Sequence, residues 1–342
     1  MNQQKSIRFV PGGVIVAIII LSSCRSTDLP EERELYYMQH EPLSQVEKLE
    51  PTIQSVNRIL ISAHYDLYSF DEDEEMRLEY VQDDPSILDD AESYFDIETV
   101  GGSAIFLDIS DGYPLIMTAN HVIRQPDSVA YYYEDQFGEQ SSLAQLRVQD
   151  RVDRYLPHFR ELGSLKVLVS DEERDVALLT SENPFSLDEE VEYLPVELGN
   201  PELLDWGSKV FAFGYPLGNE MLSTATVSEP NRDEEGGFLI DALFNPGFSG
   251  GAILAVNNET YALELVGMAR SASANSQYYL RPERSAQSPM NVGYMYEGPN
   301  YLEREQRINY GIVRSVSSNA IRDLLREHAD TLEEAGFDLE LD

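Results

Sequence analysis

Ser249 lies in the stretch Asp241-Ala242-Leu243-Phe244-Asn245-Pro246-Gly247-Phe248-Ser249-Gly250-Gly251, which crowds one Pro and three Gly around a single Ser and runs into the apolar segment Ala252-Ile253-Leu254-Ala255-Val256. A hydroxyl is a weak nucleophile until a base takes its proton and donors hold the oxyanion created by its attack. The glycines meet the second need. They open backbone conformations closed to residues with a Cβ, so the amides of Gly247 and Ser249 are expected to point at one spot and form an oxyanion hole. The first need calls for a His backed by an acid. The chain has five His, and His121 ends the apolar run Leu115-Ile116-Met117-Thr118-Ala119-Asn120-His121-Val122-Ile123. Between the two, Arg174-Asp175-Val176-Ala177-Leu178-Leu179 places an Asp at the mouth of another apolar run. Each segment alone has a plain reading: Gly-rich turns carry Ser, and an Asp at a strand end is often a cap.

These residues need elements to position them. From Asp96 onward the chain becomes a series of short apolar runs separated by turns: 103–109, 114–118, 128–133, 143–149, 165–169, 176–180, 210–214, 223–227, 237–242, 252–256, 263–270 and 310–313. Many short strands with Gly and Pro turns argue for an all-β barrel or sandwich. After them, Ser317 or Ser318 caps a helix with Ile321, Leu324, Leu325, His328 and Leu332 on one face, ending near Gly336.

The order His121, Asp175, Ser249 resembles the triad of trypsin-like serine proteases, and the surrounding wording is similar to the HtrA-type proteases of bacterial envelopes. The resemblance runs over about 97–325. It includes Gly101-Gly102-Ser103-Ala104, Leu198-Gly199-Asn200, Gly207, Phe213-Gly214-Tyr215-Pro216-Leu217-Gly218, Asn245-Pro246-Gly247, Val266-Gly267-Met268 and Tyr310-Gly311-Ile312. It implies two six-stranded antiparallel β-barrels, with His121 and Asp175 from the first, Ser249 from the second, and a closing C-terminal helix. It also implies the roles: Ser249 nucleophile, His121 general base then acid, Asp175 holding the imidazole. No cofactor or metal is needed for that chemistry. A base that works as neutral imidazole makes activity fall as pH drops below about 6–7. In the trypsin-like family the side chain six residues before the nucleophile floors the primary specificity pocket. Here that is Leu243, so cleavage is expected after small or medium aliphatic residues, since an apolar floor makes a charge costly to bury. Phe248 departs from the pattern. It puts a bulky ring where relatives carry a polar residue, and is expected to narrow the cleft or hold a resting state. The alternative function is therefore an inactive protease-like lipoprotein that binds peptides or envelope partners. Typical members carry a peptide-binding PDZ domain after the closing helix; it is expected to be absent here, along with its mode of regulation.

The whole chain bounds these readings. Its 342 residues are 42% hydrophobic, enough for a real core. Acids outnumber bases 62 to 24, a net charge of −38, which disfavours nucleic acid as a partner because phosphates would be repelled. Four of the bases are Lys, and an acidic, Lys-poor surface fits either a salty habitat or a merely acidic secreted protein. The start of the chain has Lys5 and Arg8, the apolar run 14–21, then small residues before the single Cys, Cys24. That is the layout of a secretory signal over 1–23. Leu21-Ser22-Ser23-Cys24 resembles a bacterial lipobox, which implies a lipid on Cys24 and a periplasmic or extracellular place in the cell envelope. An ordinary signal peptide with a chance Cys is the other reading.

The partners expected are protein or peptide substrates and, through the lipid, a membrane. No segment secures an oligomeric state. Residues 24–95 read as a spacer and extension, with a short helix over about 52–66 carrying His64 on its surface, and the protease domain as 96–336. The acidic run from Asp71 to Glu75, with Asp83-Asp84 and Asp89-Asp90, lacks EF-hand spacing and reads as a solvated loop rather than a calcium site. Residues 271–308 read as a long polar loop, either affecting substrate access or a simple surface insertion.

Overall fold

The computed structural model of the protein describes residues 49–89, 91–134, 140–186, 191–242, 245–282 and 300–339, giving only the backbone for 271–282 and 300–311. The expected signal over 1–23, Cys24, the stretch 25–48 of the expected spacer and Leu243 lie outside the described residues.

The expected helix over 52–66 is largely a strand. Helix α1 spans Leu49–Gln54, and strand β1 follows at Val56–Ser69. Ile53, Val56, Leu60 and Leu67 recur near helical spacing, but Ile59 and Ile61 fall outside that pattern. With those included, Ile59, Ile61, Ala63 and Tyr65 alternate, and all four are fully buried, the period of two that a strand imposes. His64 accordingly leaves the expected helix surface. It is buried on β1, with Nε2 2.7 Å from Asp153 Oδ2. The acidic run 71–75 is exposed, as a solvated loop should be.

Strands β2 (Glu92–Ser110), β3 (Tyr113–Ala119), β4 (Ser128–Glu134), β5 (Gln140–Tyr155), β6 (Leu165–Asp171) and β7 (Val176–Ser181) join β1 in one antiparallel sheet, ordered β4-β5-β1-β2-β3-β7-β6. The first unit is thus a seven-stranded sheet that curls as a half-barrel, where six strands in a closed barrel were expected. Strand β1, central between β2 and β5, supplies the added member and draws residues read as spacer into the sheet. At its far end Phe70, Leu143 and Leu146 bury Val81 of helix α2 (Leu78–Asp83).

The second unit is a closed six-stranded barrel. Strands β8 (Lys209–Gly214), β9 (Met221–Glu229), β10 (Leu239–Ile240), β11 (Ala252–Val256), β12 (Leu263–Pro282) and β13 (Asn300–Ser317) close in the order β10-β13-β12-β11-β8-β9. The insertion expected as a loop over 271–308 instead extends β12 and β13 as a paired arm, from Ala274 opposite Ile308 to Pro282 opposite Asn300. A helix, whose range is Ser318–Glu327, follows β13. Ser317 caps it, its hydroxyl accepting from the Ala320 amide at 3.1 Å, and Ile321, Leu324 and Leu325 are buried in the core between the sheets. The architecture is a mostly-β, trypsin-like two-barrel fold with a C-terminal helix.

Candidate active site

His121 enters the site because β3 stops. After Ala119 the chain turns through the one-turn helix α3 (Asn120–Ile123), and β3 pairs with β7 so that Ala119 faces Val176. That register sets Asn120 and His121 beside Asp175. The Asn120 amide donates to the Asp175 carbonyl at 3.1 Å and the His121 amide to Asp175 Oδ1 at 2.8 Å. Asp175 itself has φ +60°, the left-handed region that non-glycine residues seldom occupy and that Asp tolerates better than most. The turn is anchored one residue earlier. The Arg174 guanidinium binds Asp171 at 2.8 Å, Glu235 at 3.0 Å and Glu327 at 2.8 Å, and these acids hold its protonated form firmly.

Ser249 sits on the loop between β10 and β11. Gly247 (φ +98°) and Gly250 (φ +85°) both use backbone that an L side chain resists. A Cβ on Gly247 would sit 2.5 Å from the Tyr215 carbonyl oxygen, and one on Gly250 would collide with the Ser103 carbonyl oxygen. Ser103, fully buried on β2, ties this loop to the first sheet. Its amide donates to the Ser249 carbonyl at 2.8 Å. Its hydroxyl donates to the Gly247 carbonyl at 2.7 Å and accepts from the Tyr215 amide at 2.8 Å. The Pro246 carbonyl accepts from the Leu217 amide at 2.7 Å. Among the described residues, no acceptor is found for the amides of Gly247 or Ser249.

The three side chains form one chain of hydrogen bonds. Asp175 Oδ2 is 2.8 Å from His121 Nδ1, and His121 Nε2 is 2.9 Å from Ser249 Oγ. In the tautomer with the proton on Nδ1, the ring donates to the carboxylate and Nε2 accepts from the hydroxyl. Asp175 is nearly buried at 9% side-chain exposure, while the His121 ring is 45% exposed at the cleft.

Phe248 departs from its expected place. Its ring is 1% exposed and lies in the second barrel's core with Ile240 and Ile253, so it neither narrows the cleft nor covers Ser249. The turn sends Ser249 one way and its neighbour the other. Two residues escaped notice in the sequence. Ser103 was visible only as part of a motif, and Arg270, whose Nε donates to Asp175 Oδ2 at 3.2 Å, sits in an ordinary strand with no local mark.

Residues 102–268 match the family model described as a trypsin-like peptidase domain. The serine protease Do-like HtrA of Lactobacillus helveticus is 28% identical over 185 residues, covering 51% of this chain; the matched region spans 38% of that relative's length. Among solved structures, the serine endoprotease from Yersinia pestis aligns at 16% identity over 84% of this chain and 67% of that one, with a TM-score of 0.37. Deg5 aligns at 22% identity over 65% and 81%, with a TM-score of 0.35. The domain match and the relative together support a trypsin-like peptidase domain over about residues 102–268.

Proposed function

We propose that the protein is a serine endopeptidase acting through an acyl-enzyme, and the observation that carries this is the unbroken Ser249–His121–Asp175 hydrogen-bond chain. Ser249 Oγ attacks the scissile carbonyl as its proton passes to His121 Nε2. Asp175 steadies the imidazolium so formed. The amides of Gly247 and Ser249 bind the tetrahedral oxyanion. The imidazolium then protonates the leaving amine, and water, activated by the same His121, hydrolyses the Ser249 ester. The aliphatic Leu243, six residues before Ser249 in the sequence, supports protein or peptide substrates cut after small or medium aliphatic residues. Reporters ending in Lys or Arg should be poor substrates beside aliphatic ones, and the reverse ranking would overturn this preference.

The proposal extends to place. Cys24 carries a lipid that holds the enzyme on the envelope, and Cys24→Ala should leave the membrane fraction; retention of that variant would remove the anchor from this reading.

The deciding experiment is fluorophosphonate labelling of the full chain beside Ser249→Ala, at low and high salt. Labelling that disappears in the variant supports an activated Ser249. Absence of labelling in both buffers would favour the peptide-binding alternative. That alternative arose from a Phe248 ring beside the nucleophile, and the ring is in the barrel core.

A further inference from the structure

Arg270 is a cation that the roles above leave unused. It lies on β12 where the pairing with β13 slips: Ala269 faces Ser315 and Ser271 faces Arg314, so Arg270 is the bulged residue. A bulge re-aims one side chain out of the regular alternation. Immediately before it, Ala269 is bonded both ways to the nucleophile loop. The Gly250 amide donates to the Ala269 carbonyl at 2.8 Å, and the Ala269 amide donates to the Gly251 carbonyl at 2.8 Å. From that fixed point Arg270 reaches to the other sheet. Its Nε donates to Asp175 Oδ2 at 3.2 Å and its Nη2 to the Glu173 carbonyl at 3.3 Å.

The carboxylate of Asp175 therefore has three donors from two residues, His121 on α3 and Arg270 on β12. Oδ1 takes the His121 amide, and Oδ2 takes both His121 Nδ1 and Arg270 Nε. Two neighbouring arginines are engaged elsewhere: Arg124 with Glu172, and Arg174 with Asp171, Glu235 and Glu327. Without Arg270, Oδ2 would be held only by the imidazole it must orient. A carboxylate placed before the proton arrives need not reorganise as the imidazolium forms.

We propose that Arg270 is a positioning residue of this site. It fixes the Asp175 carboxylate and, through Ala269, holds it in register with the Ser249 loop of the second barrel. The inference rests on the Ser249–His121–Asp175 reading.

The test uses the full chain with two variants. Arg270→Met keeps the apolar stem and removes the donors; Arg270→Lys keeps the charge. For fluorophosphonate inactivation, kinact should fall on the order of tenfold in Arg270→Met and recover in part in Arg270→Lys. KI and the unfolding midpoint should stay near the parent's. A parental kinact in Arg270→Met, or a fall matched by loss of folded protein, overturns the proposal. A second readout needs no turnover. In the Ser249→Ala background, the downfield proton resonance of the His121–Asp175 hydrogen bond should be sharp with Arg270 and broadened or lost with Met. An unchanged resonance, or none in either protein, also overturns it. Should the parent fail to label, the nucleophile assignment falls, and the resonance still decides the role of Arg270.

Discussion

Ser103 shows how one small side chain holds the Ser249 loop from across the molecule. Its hydroxyl satisfies both the Gly247 carbonyl and the Tyr215 amide, and the side chain is fully buried. Ser103→Ala leaves the buried Tyr215 amide and the half-buried Gly247 carbonyl without this partner. The expected cost is about 1–3 kcal/mol of stability, read by denaturant unfolding, with slower fluorophosphonate labelling as the Gly247 peptide loosens. Unchanged labelling would show that the loop holds its shape without this bond. Phe248 makes the opposite case. With its ring in the barrel core, Phe248→Ala should cost about 3–5 kcal/mol through the cavity it leaves. A stable variant with faster cleavage would instead put the ring in the cleft.

At the scale of elements, the turn between β6 and β7 carries Asp175 in a left-handed conformation that the local sequence does not favour. Arg174 holds it by linking the turn to the β9–β10 loop through Glu235 and to the C-terminal helix through Glu327. Asp171 closes the turn itself. Burial pushes its carboxyl up, but the Arg174 amide and guanidinium, with the Glu173 amide, outweigh that and hold it below its ordinary value. A depressed carboxyl contributes stability that is present above its unfolded pKa and lost as pH falls through the folded one. Asp171→Asn should therefore unfold more readily than the parent at pH 7. The difference should shrink below about pH 4 as the parent's carboxyl is protonated. A gap that persists undiminished into acid would assign Asp171 a role independent of its charge.

Across the whole molecule, 62 acidic residues against 24 basic ones leave a repulsive surface. Salt shortens the reach of that repulsion, from about 30 Å at 0.01 M to about 3 Å at 1 M. It also weakens ion pairs such as those of Arg174. With a net charge of −38 the relief of repulsion should prevail, and the thermal midpoint should rise between low and molar salt. A falling midpoint would mean that local pairs outweigh the net charge.

What the sequence determined by itself follows from local chemistry. A Ser between glycines, a His closing an apolar strand and an Asp opening another are each written in adjacent residues. So are most of the strands of both units, because alternation and turn residues act within a few positions. What only the tertiary structure decided depends on partners far away in the chain. Strand β1 carries a helical spacing beside its alternation, and the alternation prevails only because β2 and β5 flank it. The arm beyond Ala274 exists as pairing between two polar stretches with no apolar pattern to announce them. Phe248 faces inward because the second barrel's core, with Ile240 and Ile253, buries the ring. Ser103 and Arg270 matter through contacts at sequence separations of 144 and 95 residues, which no local pattern encodes.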